Sequence, residues 1–551
     1  MYRRLISRLS FVGGMLMLLG PWAGFTSAVV DDVALTAQTR QQITAIESIP
    51  LTLPVMVGSA ASPIVKMEIT ATGSQKPLSI TKVTASIVGE GAETEFHSVQ
   101  LFCSGSDSTF RNATQFGESQ ATGTGKLHAF NGKQQLAEGQ NYIWLAGQLK
   151  ENVDIDRMVA AEIDSITFSN GEIKSFAVDP SVQRLAVSVR DAGDDGVHTY
   201  RIPGLATTNQ GTLIAVYDVR RRSGGDLPGD IDVGMSRSID GGRTWQPMKI
   251  IMDMGDDPDW RYDGVGDPAV LVDRNTGTLW VAGTWSHGNR SWHGSGPGLT
   301  PDQTGQLMLV RSDDDGVTWS EPINITHQVK RPEWCFLLQG PGKGITLHDG
   351  TLVFAAQYQD PPNPDDAKAH RLPHSTIIYS KDHGNTWHVG AGAFDDTTES
   401  QVIEIEPGVL MLNCRYNRGS VRVVMTTDDL GKTWRQHSTS QRSLIEPGSC
   451  MASLIDVDRE VGADVGNWLL FSNPDSTRGR HHLTIKASPD RGLTWPDSHR
   501  LLLDEGASAG YSCMSMIDNK TVGILYEGSR SQLTFQRIAI SDLVSEQSPS
   551  P

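Results

Sequence analysis

Three consecutive aspartates ahead of a glycine have the composition of a metal-binding loop. Asp313, Asp314 and Asp315 precede Gly316 in the stretch SDDDGVTW, which runs from Ser312 to Trp319. Calcium is bound by clustered carboxylate and carbonyl oxygens, in loops that need a glycine for a sharp turn. The other interpretations are that the stretch belongs to a catalytic site or is only a turn.

Four further copies of this stretch keep only one of the three aspartates. Ser or Thr is fixed at position one, Asp at three, Gly at five, Thr at seven and Trp at eight, so Asp314 is repeated and its two neighbours are not. A calcium cage is therefore not maintained. The fixed residues suit a hairpin turn, in which Asp bonds backbone N–H groups, Gly takes a positive φ and Trp packs into the core. The four other copies are SIDGGRTW (238–245), SKDHGNTW (380–387), TDDLGKTW (427–434) and SPDRGLTW (488–495).

The copies also predict the elements around them. Apolar or alternating runs such as IDVGMSRS, GQLMLVRS and VRVVMTT precede the copies and indicate strands that enter each turn. The copies recur every 45 to 75 residues or so, which suits four-stranded propeller blades with insertions. Five marked blades and one unmarked blade predict a six-bladed β-propeller over residues 186–545.

A chain of 551 residues exceeds what one hydrophobic core usually supports, which favours two domains. Residues 29–185 contain no copy of the turn, but stretches such as PIVKMEITAT and NYIWLAGQL are strand-like. They predict a smaller β-sandwich domain ahead of the propeller, so that the whole protein is all-β.

The first 28 residues have the pattern of a signal peptide. Arg3, Arg4 and Arg8 precede the apolar run FVGGMLMLLG, and small residues at Thr26 and Ala28 predict cleavage after Ala28. An uncleaved anchor is the alternative, but the apolar run is short for a membrane span of about 20 residues. We therefore expect a secreted or periplasmic protein without stable membrane insertion.

Charge and cysteine spacing exclude other classes of function. The formal net charge of −17 opposes binding to nucleic acid or to anionic membranes, because both need basic patches. Five scattered cysteines without CxxC spacing indicate neither a disulfide scaffold nor a zinc site. We expect no metal and no cofactor.

The repeated turns resemble the Asp boxes, or BNR repeats, of bacterial sialidases, which are six-bladed propellers that remove terminal sialic acid. The segment YRIPGL, residues 200–205, matches the (F/Y)RIP motif of that family, and residues 29–185 resemble the domain that precedes some of its propellers. That domain could bind carbohydrate or serve only in packing. Non-enzymatic propellers carry Asp boxes too, so the activity depends on other residues.

The resemblance implies three arginines that hold the carboxylate of the substrate. Guanidinium groups suit this task because they form charge-assisted, often bidentate hydrogen bonds and stay charged. Arg201 of the RIP motif is the first and Arg415 in MLNCRYN is the second. Arg478 and Arg480 compete for the third, and the position before HHLTIKAS favours Arg480. Glu527 in GILYEGS resembles the carboxylate that orients the first arginine.

The resemblance also implies the acid/base group. Asp226, in a glycine-rich loop, matches the family's acid/base aspartate, with Asp230 and Asp232 as alternatives. Arg220 resembles the arginine beside the acetamido and 4-hydroxyl side of the sugar, and Asp267 in GVGDPAVLVD resembles a pocket residue near the 4-hydroxyl. A loop suits an acid/base group that must reach the glycosidic oxygen and later activate water.

Tyr511, in EGASAGYSCMSMI, matches the nucleophile of the family, and Glu399 matches its base, with Glu404 and Glu406 as alternatives. The anomeric carbon of sialic acid carries a carboxylate, which would repel a charged nucleophile. A neutral phenol avoids this repulsion but needs a base, because its usual pKa is near 10. Sialidases are the established exception among glycosidases in using a tyrosine nucleophile. The assignment of Tyr511 and Glu399 therefore matches a known family pattern to residues of this sequence.

The expected function is therefore that of a retaining, metal-independent exo-α-sialidase acting on sialylated glycans. A sialoglycan-binding propeller without turnover is one alternative, and it would have lost the Tyr, Glu or Asp. A trans-sialidase is another, and it uses the same residues.

Overall fold

The computed structural model describes residues 39–544, apart from 90–91, 123–125, 177–178, 256–263, 364, 366–369 and 463–465. The predicted signal peptide lies outside the described residues. Within them, no helix is both long enough and apolar enough to cross a membrane. The α-helices are short: α1 (Ala92–Glu95), α2 (Thr326–Val329), α3 (Val457–Val461) and α4 (Ser541–Val544).

The N-terminal region forms two facing sheets. One has the order β1-β3-β9-β5-β6, with β7 beside β5, and the other contains β12-β10-β4-β8, with β11 beside β10 and β2 beside β12. Alternate side chains of strands such as β4 and β10 are buried, and both sheets contribute to one core cluster. The strands are β1 (Gln42–Ile49), β2 (Val55–Val57), β3 (Ser62–Thr72), β4 (Ser79–Val88), β5 (Phe96–Gly105), β6 (Thr114–Gln115), β7 (Gln120–Ala121), β8 (Leu127–Gln135), β9 (Gly139–Leu149), β10 (Met158–Phe168), β11 (Ile173–Ser175) and β12 (Ser181–Arg190).

Six sheets follow in chain order, and we number them 1 to 6. Sheet 1 contains β13 (Thr199–Thr207), β14 (Leu213–Arg220), β15 (Ile231–Ser238) and β16 (Lys249–Met252). Sheet 2 contains β17 (Val265–Val272), β18 (Leu279–Trp285), β19 (Gln306–Ser312) and β20 (Ile323–Asn324), and later receives β22 (Gly342–Lys343). Sheet 3 contains β21 (Phe336–Gln339), β23 (Ile345–Thr346), β24 (Leu352–Asp360), β25 (Leu372–Ser380) and β26 (His388–Val389).

The last three sheets repeat the pattern of antiparallel neighbours. Sheet 4 contains β27 (Thr397–Glu406), β28 (Val409–Tyr416), β29 (Val423–Thr427) and β30 (Arg435–Gln436). Sheet 5 contains β31 (Ser453–Asp456), β32 (Leu469–Pro474), β33 (Leu483–Ser488) and β34 (Arg500–Asp504). Sheet 6 contains β35 (Ser512–Met516), β36 (Thr521–Tyr526) and β37 (Leu533–Ala539), and β12 completes it.

The sheets contact one another in order round a ring. Strand β13 contacts β17, β18 contacts β21, β24 contacts β27, β27 contacts β31 and β31 contacts β35, which returns to β13. The first strands of the sheets therefore surround a common centre. The predicted all-β class, with a smaller β domain ahead of the repeats, is confirmed.

Strand β12 belongs to both regions. It pairs antiparallel with β10 of the N-terminal region at one end and with β37 of sheet 6 at the other. The strand thus spans residue 185, the predicted domain boundary. Its role also explains why sheet 6 lacks an Asp box, because the fourth strand of this sheet precedes the first three in the chain and no hairpin joins the third to the fourth.

Each Asp box joins two neighbouring antiparallel strands of one of sheets 1 to 5, namely β15 and β16, β19 and β20, β25 and β26, β29 and β30, or β33 and β34. Its fixed residues close the turn. The Ser312 hydroxyl donates to Asp314 Oδ1 at 2.8 Å and accepts from the N–H of Gly316 at 2.9 Å. Asp314 also accepts from the Thr318 N–H at 2.8 Å and from its hydroxyl at 2.6 Å. The hydrogen bonds from Thr318 lower the pKa of Asp314 to about 2. The turn prediction is confirmed.

Candidate active site

The first strands of the sheets surround a cavity of about 290 Å³. Seven of the nine predicted site residues line this cavity, and they lie in strands of sheets 1, 2, 4, 5 and 6 or in loops next to those strands. The seven are Arg201, Asp226, Asp267, Glu399, Arg415, Arg480 and Tyr511. The other two, Arg220 and Glu527, lie directly behind the wall and bond to residues that line it.

Glu527 holds two of the groups that build the site. Its carboxylate accepts from Arg201 Nε at 2.8 Å, from the N–H of Ile202 at 3.0 Å and from the N–H of Tyr511 at 2.9 Å. Ile202 precedes a proline and has φ of 58°, which turns its N–H toward Glu527. Burial alone would raise the pKa of Glu527, but the charge and hydrogen bonds of Arg201 lower it below its ordinary value. Glu527 is therefore an anion that holds Arg201 and the backbone of Tyr511.

Tyr511 and Glu399 form a close polar pair in the cavity. The phenol oxygen lies 2.6 Å from both carboxylate oxygens of Glu399, and Arg415 Nη1 donates to it at 2.9 Å. The same Nη1 also forms an ion pair with Glu399. Burial, followed by the negative charge of Glu399, raises the pKa of Tyr511 well above its ordinary value. The phenol is therefore neutral at rest and donates to Glu399.

Arg480 lies in the cavity and Arg478 does not. Arg480 donates to the carbonyls of Ala509 at 2.8 Å and Ser449 at 2.6 Å, which aim its guanidinium at the ring of Tyr511. The guanidinium carbon lies 5.5 Å from the ring centre, and that of Arg201 lies 5.2 Å away. Arg478 is exposed on the preceding loop. Arg201, Arg415 and Arg480 thus all adjoin Tyr511.

Asp226 is the exposed carboxylate at the mouth of the cavity. Its side chain is 79% exposed, and Oδ1 lies 2.8 Å from Arg220 Nη1 and 3.7 Å from Arg201 Nη1. The alternatives Asp230 and Asp232 pair with the neighbouring arginines 222 and 221, and neither lines the cavity.

Asp218 organises this side of the site, although no sequence motif marks it. Its buried carboxylate accepts from Arg220 Nε at 3.1 Å and from the N–H of Asp267 at 2.8 Å. Like Ile202, Asp267 precedes a proline and has φ of 58°. Burial and the nearby charge of Asp218 raise the pKa of Asp267 well above its ordinary value. The only signal for Asp218 in the sequence is a charged residue within an otherwise apolar strand.

The wall opposite these groups is aromatic. Phe336 and Leu338 come from β21. Ser291, Trp292 and His293 come from the 286–305 loop between β18 and β19, which no sequence motif marks as part of the site. The ring of Trp292 meets that of Phe336 edge to face at 6.1 Å. The signal in the sequence was the length of the insertion between two strands of a hairpin, because long loops are often functional.

The alternative bases lie elsewhere. Glu404 is buried, accepts from the N–H groups of His348 and Gly408 at 2.8 Å each, and pairs with Arg459. Glu406 is exposed at the end of β27. Neither lines the cavity. In the described ranges, no group of three or more His, Cys, Asp or Glu side chains is placed to hold a metal ion.

The assembled groups suit a particular ligand chemistry. Three guanidinium groups can hold a planar carboxylate, a neutral phenol adjoins a carboxylate that can take its proton, and an exposed carboxyl group can deliver a proton from the mouth.

Comparison with known proteins identifies the family. Residues 211–525 match the model of the BNR repeat-like domain, and residues 40–172 match that of the N-terminal domain of BNR-repeat neuraminidase. A sialidase of Bacteroides fragilis is 48% identical over 437 residues, which are 78% of each chain. A sialidase of Micromonospora viridifaciens is 33% identical, over 63% of this chain and 52% of that one. The solved structure of a Hadza microbial sialidase is 44% identical, with a TM-score of 0.82 over 90% of this chain and 100% of that one. The chain therefore belongs to the BNR-repeat sialidase, or neuraminidase, family of glycoside hydrolases.

Proposed function

We propose that this protein is an exo-α-sialidase that hydrolyses terminal sialic acid from glycoproteins, glycolipids or oligosaccharides with retention at the anomeric carbon. The observation that carries the proposal is the phenol of Tyr511, which lies 2.6 Å from both oxygens of Glu399 inside a cavity that also holds three arginines. The sialidases among its relatives support the substrate class.

Substrate binding uses the carboxylate that sialic acid carries at its anomeric carbon. Arg201, Arg415 and Arg480 hold this carboxylate, and Glu527 keeps Arg201 in place through the 2.8 Å ion pair. This arrangement sets the anomeric carbon near Tyr511, because all three guanidinium groups adjoin that side chain. Asp267 borders the sugar on the side of its 4-hydroxyl, and Arg220 supports this side from behind the wall through Asp218.

In the first step, Tyr511 attacks the anomeric carbon while its proton moves to Glu399. The bond from the anomeric carbon to the glycosidic oxygen breaks, and Asp226 protonates that oxygen as the glycan leaves. In the second step, Asp226 removes a proton from water, which attacks the anomeric carbon and releases Tyr511. The phenolate recovers its proton from Glu399. Two displacements at one carbon give retention.

Tyr511→Phe tests the proposal. The variant keeps the ring between the arginines but removes the attacking oxygen, so kcat on a fluorogenic sialoside should fall by about 10³-fold or more. Tyr416→Phe, a change outside the cavity, is the matched control and should keep the wild-type rate. Proton NMR of the first product should show the α-anomer before it mutarotates. Full activity in Tyr511→Phe, or an initial β-anomer, would overturn the proposed mechanism.

We also propose that the protein is exported. The proposal rests on the arginines and the apolar run within the first 28 residues, which lie outside the described residues. N-terminal sequencing of the protein recovered from outside the cytoplasm checks it, and a chain that still begins at Met1 would contradict it.

A further inference from the structure

The aromatic wall of the cavity depends on a long loop that has no strand of its own. The 286–305 loop leaves β18 and returns to β19, and it carries Trp292 and His293 into the cavity. Such a loop can place a ring precisely only if other groups fix its backbone.

One buried lysine ties this loop to the segment that leads to Phe336 of the same wall. Lys330 is only 4% exposed, and its ammonium donates to the carbonyl of Gly298 at 2.6 Å and to that of Trp334 at 2.7 Å. A third, longer bond reaches the carbonyl of Arg331 at 3.4 Å. Gly298 lies in the loop, and Trp334 lies two residues before Phe336 of the wall. An ammonium has three N–H donors, so all three are used.

Further hydrogen bonds hold the part of the loop between Gly298 and Trp292. The N–H of Gly298 donates to the carbonyl of Pro332 at 2.7 Å, so both backbone groups of Gly298 are held by the segment 330–334. Within the loop, Arg290 donates to the carbonyls of Asp302 at 2.6 Å and Gly294 at 3.0 Å. Trp292 therefore lies between Arg290 and Gly298, and both of these residues are held by hydrogen bonds.

We propose that Lys330 is a positioning residue for the sialidase reaction, which sets the 286–305 loop so that Trp292 and His293 form the substrate-binding wall. Lys330 itself does not touch the cavity. The residues proposed for the chemistry, Asp226, Glu399 and Tyr511, lie in or next to strands of sheets 1, 4 and 6, whereas Lys330 lies between sheets 2 and 3. Its loss should therefore weaken substrate binding more than it slows the chemical steps.

The charge of Lys330 makes this anchor sensitive to alkaline pH. Burial lowers the pKa of Lys330 to about 8, against the opposing effects of Cys335 and Glu333. Below that pH the ammonium supplies three donors, and above it one donor is lost. The loop should therefore loosen as the pH rises from 7 to 9.

The test compares Lys330→Met with Lys249→Met in the full chain. Lys249 also donates to a carbonyl, that of Val317 at 2.8 Å, but it is exposed and lies away from the cavity. Lys330→Met should raise KM for a sialoside about 10-fold and leave kcat within about 2-fold, whereas Lys249→Met should change neither. In the wild type, KM should rise between pH 7 and 9, and this rise should be absent in Lys330→Met. An unchanged KM, or equal losses in the two variants, would overturn the proposal.

Hydrogen exchange supplies a measurement that does not need turnover. The inference rests on the proposed function, but the mobility of the loop can be measured even if the wild type were inactive on the sialosides tested. Amides of the 286–305 loop should exchange about 10-fold faster in Lys330→Met than in Lys249→Met, with β24 and β25 unchanged. If Lys330→Met does not fold, the wild type at pH 7 and pH 9 provides the comparison, after correction for intrinsic rates. Equal protection of the loop in either comparison would show that Lys330 does not hold it.

Discussion

Glu527 shows how one buried carboxylate can place two groups of a site. Its two oxygens accept from the guanidinium of Arg201 and from the N–H groups of Ile202 and Tyr511. Every contact is made by a donor, so the position requires an anion. An amide of the same size would present its NH₂ group to one or more of these donors.

Glu527→Gln should therefore damage both stability and catalysis. We expect the free energy of unfolding to fall by about 3 kcal/mol, because a buried ion pair loses one charge. The value of kcat/KM should also fall, because Arg201 and Tyr511 shift together. Urea unfolding and sialoside hydrolysis at pH 7 measure the two effects. Glu406→Gln, at an exposed glutamate, is the control, and similar results for the two variants would contradict the argument.

The same residue predicts the direction of a pH effect. The pKa of Glu527 is lower in the folded protein than in the unfolded chain, where it is about 4.3. Its contribution to stability is therefore fully present above the unfolded pKa and is lost as the pH falls through the folded pKa. The difference in stability between wild type and Glu527→Gln should accordingly shrink below about pH 4.

Some residues of the site could be predicted from the sequence because they lie in recognisable local patterns. Arg201 and Asp226 could be found because each lies in a short pattern of fixed spacing. The choice between Arg478 and Arg480 depended on where the loop after β32 turns, and spacing does not determine that turn. Trp292 could not be found, because its place in the cavity depends on its contact with Phe336 and on a loop that Lys330 holds through the carbonyl of Gly298.

At the scale of elements, the fourth position of the Asp box varies in residue type but has a structural role of its own. The fourth residue of each box contacts the sheet that precedes it in the ring. Asp315 accepts from Thr212 at 2.6 Å and from Arg237 at 2.9 Å, both in or next to strands of sheet 1. His383 pairs with the buried Asp273, which follows β17 of sheet 2, at 2.8 Å. The type of residue varies because each neighbouring sheet offers a different partner.

Asp315→Gly should therefore destabilise the fold, although it lies far from the chemistry. Glycine accepts the positive φ of 62° at this position, and Gly241 occupies the equivalent position in the first box. The variant thus removes only the side chain and leaves two donors, on Thr212 and Arg237, without their acceptor. We expect a loss of about 1–3 kcal/mol in urea unfolding with unchanged kcat.

Asp313→Ala provides the matched comparison for Asp315→Gly. Asp313 adjoins the same turn, but it is exposed, so its ion pair with Arg311 at 3.5 Å should contribute less than about 1 kcal/mol. Equal destabilisation by the two changes would show that the fourth position does not link the sheets.

At the scale of the whole molecule, the ring collects residues that are remote in the chain. The number of Asp boxes and the spacing between them predicted the repeated sheets, because each box is a local signal. The pairing of β12 with β37 joins Val187 to Phe535, and no local pattern records a contact over that separation. The boundary at residue 185 was consequently placed inside a strand.

Further contacts join the N-terminal region to the part of sheets 5 and 6 that carries Tyr511 and Glu527. Thr52 and Glu505 exchange two hydrogen bonds, one of 3.1 Å and one of 2.9 Å. The guanidinium of Arg530, three residues after Glu527, lies 5.6 Å from the ring centre of Phe110. The N-terminal region therefore supports the site through sheet 6, and this holds whether or not it also binds carbohydrate.

Two proline substitutions in β12 separate its two pairings. Ser188 pairs with Thr534 in sheet 6, one residue beyond the segment that pairs with β2, whereas Val182 pairs with Ala160 in the N-terminal region. Proline removes a backbone donor and disrupts a sheet ladder at the position where it is placed. Ser188→Pro should therefore lower kcat on a sialoside by about 10-fold or more, because sheet 6 positions Tyr511 and Glu527. Val182→Pro should lower the unfolding temperature but keep kcat within about 2-fold when measured well below that temperature. If both variants lose kcat equally, the N-terminal region acts on the site as one rigid unit, and β12 has no separate role in holding sheet 6.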